Sequence, residues 1–160
     1  DEGASEPPGL AVEAFALLAD YTEPPPWASD PTRLAASYRL QALAAVEHAA
    51  AATSDQTRWE VIAARYAELE ALTGSPVVRL NRAVAVAEAD GPGAGLALLD
   101  GLDARLPLGH RLPAIRAELL TRLGRTAEAL VSYDLALARC GNDAERAQLR
   151  SRRAAVERSG

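Results

Sequence analysis

Small residues recur at a fixed interval in this sequence, and that recurrence constrains the fold more than any other feature. The stretch "LGRTAEALVSYDLAL", residues 123–137, has a counterpart about 34 residues earlier in the chain. The corresponding residues are Gly95 with Ala129, Leu99 with Tyr133, and Leu102 with Ala136. Upstream, Ala83 aligns with Ala117 at the same offset. A weaker copy begins at Ile62, at nearly the same interval before Gly95. A regular interval of this length indicates a repeated supersecondary unit.

Packing of paired helices explains why small and bulky residues alternate in this way. A small residue in the first helix, such as Ala83, lets the second helix lie against it. A small residue in the second helix, such as Gly95, admits the first helix in turn, and the bulky Leu99 fills the gap to the next pair. A helix–turn–helix period of about 34 residues resembles the tetratricopeptide repeat. Each pair buries one face only, so about three repeats must stack.

The composition favours helices throughout. Hydrophobic residues make up 49% of the chain but aromatic residues only 4%, and Ala and Leu dominate. Periodicity, prolines and caps predict helices at about 10–21, 31–52, 57–73, 76–89, 93–103, 112–123, 126–140 and 143–157. We therefore predict an all-α fold, a right-handed superhelix of antiparallel helix pairs in which an Arg-rich C-terminal helix caps about three tetratricopeptide-like repeats. Residues 1–30 are predicted to be a flexible lead with a short helix, and 31–160 the repeat domain. The alternative is a generic Ala-rich helical bundle.

Charge and cysteine content argue against several classes of function. The formal net charge is −5 and no basic stripe is present, so direct nucleic-acid binding by this domain is not expected. No apolar run is long enough to suggest a membrane span. Cys140 is the single cysteine, which favours a cytoplasmic protein without disulfides. His48 and His110 are far apart in the sequence, without Cys or carboxylate at ligand spacing, so neither a metal nor a cofactor is expected.

Part of the sequence, about residues 37–154, also resembles one group of bacterial proteins. The residues that carry this likeness are Tyr38-Arg39-Leu40-Gln41, Trp59, Tyr66, Ser75-Pro76-Val77-Val78, Leu80-Asn81-Arg82-Ala83-Val84-Ala85, Gly91-Pro92, Ala94-Gly95-Leu96, Leu123-Gly124-Arg125, Gly141-Asn142 and Glu145-Arg146. They resemble the C-terminal domain of extracytoplasmic-function type RNA polymerase sigma factors that have a tetratricopeptide-like extension.

This resemblance implies an accessory module that regulates transcription initiation through protein contacts. Its partner would be the sigma factor's own N-terminal domains or core RNA polymerase. A stand-alone tetratricopeptide scaffold unrelated to transcription has the same packing, and exposed Ala-rich ends are compatible with a homodimer. A helical-solenoid enzyme or small-ligand binder is the alternative of another class. No nucleophile–base or paired-carboxylate arrangement stands out, so we do not expect an enzyme.

Tetratricopeptide arrays bind peptides in a groove lined by the first helix of each pair. In the repeat register, the polar residues expected on that surface are Arg39, Asn81, Arg82, Glu88, Arg111, Glu118 and Arg122. The apolar residues expected there are Val77, Leu80, Val84 and Ala114. Asn81 and Arg82 have a second interpretation, in which Asn81 bonds neighbouring backbone and Arg82 covers apolar surface with its stem. A clamp for a C-terminal carboxylate would be incomplete, because Ile115 stands where a cation is needed.

Overall fold

The structure is a computed structural model that describes residues 29–50, 57–106 and 108–159. These residues form seven α-helices and no strand. The helices are α1 (Pro31–Ala50), α2 (Trp59–Thr73), α3 (Pro76–Ala89), α4 (Pro92–Ala97), α5 (Arg111–Arg122), α6 (Thr126–Arg139) and α7 (Asp143–Ser159). The all-α prediction is confirmed for this part of the chain. The helix expected at 10–21 lies outside the described residues, as does most of the lead.

Local capping signals place most helix ends where the sequence predicts them. The Ser75 hydroxyl accepts a hydrogen bond from the Val78 amide, with Pro76 at the first position of α3. The Asn142 side chain accepts hydrogen bonds from the amides of Ala144 and Glu145 at the start of α7. Gly124, with φ of 70°, forms the tight turn between α5 and α6. These ends agree with prediction because a cap depends on neighbouring residues only.

The helix predicted at 93–103 is the exception, because α4 stops at Ala97. Beyond that point the amides of Leu98, Leu99 and Leu102 bond carbonyls three residues back instead of four. Gly101 then adopts a φ of 75°, which an α-helix does not allow. Residues three apart lie above one another in such tight turns, and both Leu99 and Leu102 are fully buried. The chain therefore keeps the predicted apolar contacts while leaving the helical path.

Three hydrophobic clusters follow one another along the chain. The first joins α1, α2 and α3 and contains Ala44, Trp59, Ile62, Tyr66, Leu69, Val78 and Ala85. The second joins α3, the α4 region and α5, with Leu80, Ala83, Val84, Ala87, Leu99, Leu102, Leu112, Ile115 and Leu119. The third joins α5, α6 and α7, with Ala114, Ala117, Leu120, Ala129, Tyr133, Ala136, Cys140, Leu149 and Val156. Each helix packs against the next one in the sequence, and α3 also contacts α5.

Two helices belong to two clusters each and therefore link the core into one series. Helix α3 gives Val78 to the first cluster and Leu80 to the second. Helix α5 gives Leu112 to the second and Ala117 to the third. A helix that buries residues on both sides is held by its neighbours before and after it in the sequence.

The repeated small positions are buried contacts between helices. Ala83, Ala117 and Ala129 have no exposed surface. Gly95 shows the closest approach, since an added Cβ would lie 2.5 Å from the Ala87 Cβ and 2.6 Å from the Ala83 carbonyl oxygen. Glycine is thus required where α4 crosses α3, which is the role that the repeat pattern predicts for it.

Helix α7 closes the described part of the chain with few apolar contacts. Its buried residues are Leu149 and Val156 alone. Polar contacts supplement them, as the Arg153 Nε donates to an Asp134 carboxylate oxygen of α6 at 2.6 Å. Within the residues that the structure describes, no helix combines the length and apolarity needed to cross a bilayer.

Candidate functional site

Asn81 lies in α3, but it is buried and does not line an open groove. Its side chain is 1% exposed. Neither its Oδ1 nor its Nδ2 atom makes a hydrogen bond. The prediction that Asn81 bonds neighbouring backbone is therefore wrong, and a partner cannot reach it in this conformation. A buried amide without partners costs free energy, so Asn81 lowers the stability of α3 packing.

Arg82 is engaged within the chain. Its Nη1 donates a hydrogen bond to the Glu70 Oε2 of α2 at 3.0 Å. Arg79 approaches the other oxygen of the same carboxylate, at 3.9 Å. Glu70 thus joins α2 to α3 through two arginines, and Arg82 is held as part of the fold.

Glu88 and Arg122 are two of the predicted groove residues, and the structure brings them together. The Arg122 Nη1 donates to the Glu88 Oε1 at 2.6 Å, and its Nη2 donates to the Ala87 carbonyl oxygen at 3.3 Å. The two residues occupy equivalent positions of the repeated interval, one in α3 and the other in α5. Their pairing connects α3 with α5 and neutralises both charges.

Glu118 and Arg111 both lie in α5, where the structure gives them different surroundings. The Tyr133 hydroxyl donates to the Glu118 Oε2 at 3.2 Å. Burial, and then the neighbouring Glu118 carboxylate, raises the pKa of Tyr133 to about 12. Arg111 has a buried Nη1 atom without a hydrogen-bond partner. Arg111 also lines a small pocket between α5 and α7.

The apolar residues predicted for the groove are in fact core residues. Leu80 and Val84 belong to the second cluster, and Ala114 belongs to the third. Val77 is partly buried against the second cluster. The predicted apolar floor of the groove is therefore wrong for Leu80, Val84 and Ala114. The neighbouring helices cover these residues, because α3 and α5 each pack on two sides.

Exposed apolar side chains are found in α1 and α6, and Leu108, before α5, is 85% exposed. In α1, Tyr38 is 63% exposed and stands beside Arg39, which is also exposed. In α6, Val131 is 69% exposed, with Leu135 one turn further on. Large exposed apolar side chains on a helix offer contact area to another protein. Of the seven predicted residues, Arg39 is beside the exposed Tyr38, and Arg122 precedes Leu123, which is 39% exposed.

A cluster of metal-ligating side chains lies at the junction of α5, α6 and α7. His110, Cys140 and Glu145 place one ligand atom each within 4.8 Å of one another. The His110 Nε2 is 3.3 Å from the Glu145 Oε2. The Cys140 Sγ is 3.9 Å from the same oxygen. Cys140 is buried, while His110 and Glu145 are partly exposed.

The backbone around this cluster is braced. The Arg146 Nη2 donates a hydrogen bond to the carbonyl oxygen of Cys140. The Cys140 thiol donates to the carbonyl oxygen of Asn142 at 3.4 Å. The Asn142 side chain in turn holds the amide of Glu145. The segment from α6 to α7 therefore fixes Cys140 and Glu145 relative to each other.

The sequence analysis did not predict this cluster, because it compared His110 only with His48 and considered Cys140 by itself. His110 immediately precedes α5, Cys140 follows α6, and Glu145 lies in the first turn of α7. The signal in the sequence was the short Cys140-x4-Glu145 spacing across a predicted helix junction. The approach of His110 depends on packing. The side chain of His48 lies outside the described residues.

Comparison with known proteins finds a relative in a bacterium. An uncharacterized protein of Rhizobium meliloti (strain 1021) is 44% identical over 113 residues, which are 71% of this chain and 27% of that protein. The chain thus spans about a quarter of the length of the relative that it matches. No protein-family model matches the chain. No solved structure matches it either.

Proposed function

We propose that this chain is a protein–protein interaction module, the accessory C-terminal domain of an RNA polymerase sigma factor. In this proposal the helices form a tetratricopeptide-like right-handed superhelix of antiparallel pairs, with α7 as the capping helix. The domain works in the cytoplasm and regulates transcription initiation by contacting the sigma domains that precede it or core RNA polymerase. It binds no nucleic acid directly and performs no chemistry.

The observation that carries the proposal is the contact between α4 and α3 at Gly95. A repeat of helix pairs requires a close crossing at the small positions, and an added Cβ at Gly95 would lie 2.6 Å from the Ala83 carbonyl oxygen. The salt bridge between Glu88 and Arg122 adds a contact between equivalent positions, with 2.6 Å between its charged atoms. Successive core clusters that share α3 and α5 also favour a stacked array over a closed bundle.

The relative supports a role within a larger protein. The 113 matched residues are 27% of the Rhizobium meliloti protein, so about three quarters of that protein lies outside the match. A match confined to a small part of a longer relative is what we expect for an accessory domain of a multidomain protein. The sigma-factor assignment itself rests on the resemblance of Leu80–Ala85 and the flanking segments.

The outer surface of α1 is the contact surface that we propose. Tyr38 and Arg39 stand side by side there, one offering exposed aromatic area and the other a guanidinium. Tyr and Arg are among the residue types that most often dominate binding energy at protein interfaces. Arg82, Glu88 and Arg122 are partly exposed, but each forms an ion pair between two helices of the chain.

Purified components test the proposal directly. The chain would be immobilised, and its affinity measured for core RNA polymerase and, separately, for a purified fragment that carries the sigma domains. We expect micromolar or tighter binding to one of the two, weakened about tenfold or more when Tyr38→Ala and Arg39→Glu are combined. The matched control is Val131→Ala with Leu135→Ala. It removes exposed apolar area from α6 and should leave the affinity unchanged.

Absence of binding to both components would overturn the transcriptional assignment while leaving the helical repeat untouched. A stand-alone scaffold would then be the better interpretation. Equal weakening by the α1 variant and the α6 variant would instead contradict the choice of surface.

A further inference from the structure

We propose that His110, Cys140 and Glu145 form a zinc-binding site that fastens the C-terminal helix α7 to the end of the helix array. The site is independent of the sigma-factor proposal. It differs from the sequence expectation, which treated His110 and Cys140 separately and expected no metal.

The donor atoms suit zinc. Imidazole nitrogen, thiolate sulfur and carboxylate oxygen are the three ligand types that protein zinc sites use, and a thiolate disfavours magnesium and calcium. Three protein ligands with a fourth position open are typical of zinc sites that keep a water molecule. Among the residues that the structure describes, this is the group in which His, Cys and Glu donors meet.

The spacing of the atoms also fits a tetrahedral metal. With zinc–ligand bonds of about 2.0 Å to nitrogen or oxygen and about 2.3 Å to sulfur, tetrahedral angles separate N from O by about 3.3 Å and S from O by about 3.5 Å. The His110 Nε2 and the Glu145 Oε2 are 3.3 Å apart. The Cys140 Sγ and the same oxygen are 3.9 Å apart. The His110 nitrogen and the Cys140 Sγ lie within 4.8 Å of each other, against about 3.5 Å around a tetrahedral ion, so side-chain rotation must bring this pair closer.

Charge balance is favourable once the thiol loses its proton. Cys140 as a thiolate and Glu145 as a carboxylate carry two negative charges, which neutralise Zn²⁺ while His110 remains neutral. Arg111 and Arg152 line the adjacent pocket, and Arg146 donates to the Cys140 carbonyl oxygen, so three positive charges surround the ligand set. The filled site is itself neutral.

The open position of the metal would face the small pocket between α5 and α7. His110 and Glu145 line that pocket, together with Gln148 and Arg152. Cys140 lies behind them in the third core cluster. A water molecule or a small anion could complete the coordination from the pocket side.

The position of the site explains what bound metal would do. His110 precedes α5, Cys140 follows α6 and Glu145 belongs to α7, so one ion would join three helix ends. Helix α7 has few apolar contacts to hold it, because its buried residues are Leu149 and Val156. Metal binding would therefore order and stabilise the C-terminal end of the molecule.

Cobalt substitution tests the site with a spectroscopic readout. The full chain, reduced and freed of metal by a chelator, would be titrated with Co²⁺ and then with Zn²⁺. We expect one equivalent of Co²⁺ to produce a thiolate-to-cobalt charge-transfer band with tetrahedral visible absorption, and Zn²⁺ to displace it. Cys140→Ser should abolish the charge-transfer band, because no other cysteine is present in the chain.

Two further variants keep the test independent of the buried cysteine. His110→Gln and Glu145→Gln change partly exposed side chains, and each should weaken Zn²⁺ binding about tenfold or more. Asp143→Asn is the matched control, since it removes a 97% exposed carboxylate from the same turn of α7 and should leave the affinity unchanged. At one Zn²⁺ concentration, the rise in melting temperature should be equal in wild type and Asp143→Asn and smaller in Glu145→Gln.

Two results would overturn the proposal. Lack of the charge-transfer band in fully reduced wild-type protein would show that Cys140 is not a ligand. Zn²⁺ affinity that is equal in wild type, Glu145→Gln and Asp143→Asn would show that binding occurs elsewhere. Circular dichroism of each variant establishes that the helices are formed before metal is added.

Discussion

The α3–α4 pair and the α5–α6 pair use the same positions of the repeated interval, but they pack differently. In the first pair Gly95 lets α4 approach so closely that no Cβ fits. In the second pair Ala129 carries a Cβ and is fully buried. Helix α4 ends after 6 residues, whereas α6 continues for 14. A shared interval thus fixes which residues meet, while the side chains at those positions fix how closely and over what length.

The first helices of the two pairs differ even more sharply at one position. Asn81 of α3 and Ile115 of α5 are equivalent, and both are buried, at 1% and 4% exposure. Ile115 fills its place in the second core cluster, whereas the Asn81 amide has no hydrogen-bond partner. Asn81 therefore lowers the stability of the fold at a position where Ile115, its equivalent in α5, increases it.

Exchange of these two residues gives the largest expected effect. Ile115→Asn removes buried apolar surface and adds an amide without partners, so it should lower the free energy of unfolding by about 3–5 kcal/mol. Asn81→Ile should instead leave the free energy of unfolding unchanged or raise it by at most about 3 kcal/mol, because it removes a buried polar group without partners. Urea denaturation of both variants measures this. A loss of stability in Asn81→Ile similar to that in Ile115→Asn would show that Asn81 is satisfied in solution.

Filling the close contact of the first pair should have the next largest effect. Gly95→Ala and Gly95→Leu place atoms against the Ala83 backbone, which cannot move aside easily, and should cost about 1–3 kcal/mol, Leu more than Ala. Gly93→Ala is the control in the same helix, because an added Cβ there meets nothing within 4 Å. It should be neutral or slightly stabilising. An unchanged melting temperature for Gly95→Leu would disprove the predicted contact.

The two buried tyrosines allow a finer comparison. Tyr133 donates to Glu118 in the second pair, whereas the Tyr66 hydroxyl of α2 is buried without a partner. Tyr133→Phe should therefore cost about 0.5–1.5 kcal/mol at neutral pH, and Tyr66→Phe should cost nothing. Thermal unfolding of the two single variants measures the difference. Equal losses would contradict the assignment of partners.

Alkaline pH should reveal the burial of the Tyr66 hydroxyl as a difference in stability between wild type and Tyr66→Phe. Burial raises the pKa of Tyr66 from 10.0 to about 12. The pKa of Tyr66 is thus higher in the folded protein than in the unfolded one. The free energy of unfolding should therefore be unaffected by Tyr66 ionisation below pH 10 and should fall as the pH rises from 10 to about 12. Tyr66→Phe should lose less stability over this range than wild type. Denaturant midpoints measured across it, with circular dichroism as readout, test the slope.

The contact between the two pairs should give the smallest effect. Glu88 and Arg122 are partly exposed, so their salt bridge should contribute about 0.2–1 kcal/mol of coupling energy. A double-mutant cycle with Glu88→Ala and Arg122→Ala isolates that coupling from the bond between Arg122 and the Ala87 carbonyl. High salt should reduce the coupling. A coupling energy of zero at low salt would show that the two helices are not joined by this pair.

Much of the helical framework could be predicted from the sequence. Helix α3 has the predicted bounds, and α5, α6 and α7 differ from prediction by one or two residues. Ser75, Asn142 and Gly124 act through the nearest turn, so their effects follow from local sequence. The end of α4 could not be predicted, because the tight turns after Ala97 follow from burying Leu99 and Leu102 against other helices.

The candidate sites were predicted less well. The repeat register selected Glu88 and Arg122, but it could not show that they bind each other. It placed Leu80 and Val84 on a groove, whereas the neighbouring helix pair buries both. Positions on one helix face can be counted from the sequence, but the element that covers this face is set by the other helices.

The sequence by itself determined that the described chain is helical, where most helices begin and end, and which small residues lie buried between them. These properties depend on backbone propensity, caps and a periodic pattern, all of which act over a few residues or at a fixed interval. Only the tertiary structure decided that Asn81 lacks a hydrogen-bond partner, that Arg122 neutralises Glu88, and that His110 meets Cys140 and Glu145. Those outcomes depend on distances between separate helices, which the packing of all the buried side chains sets together.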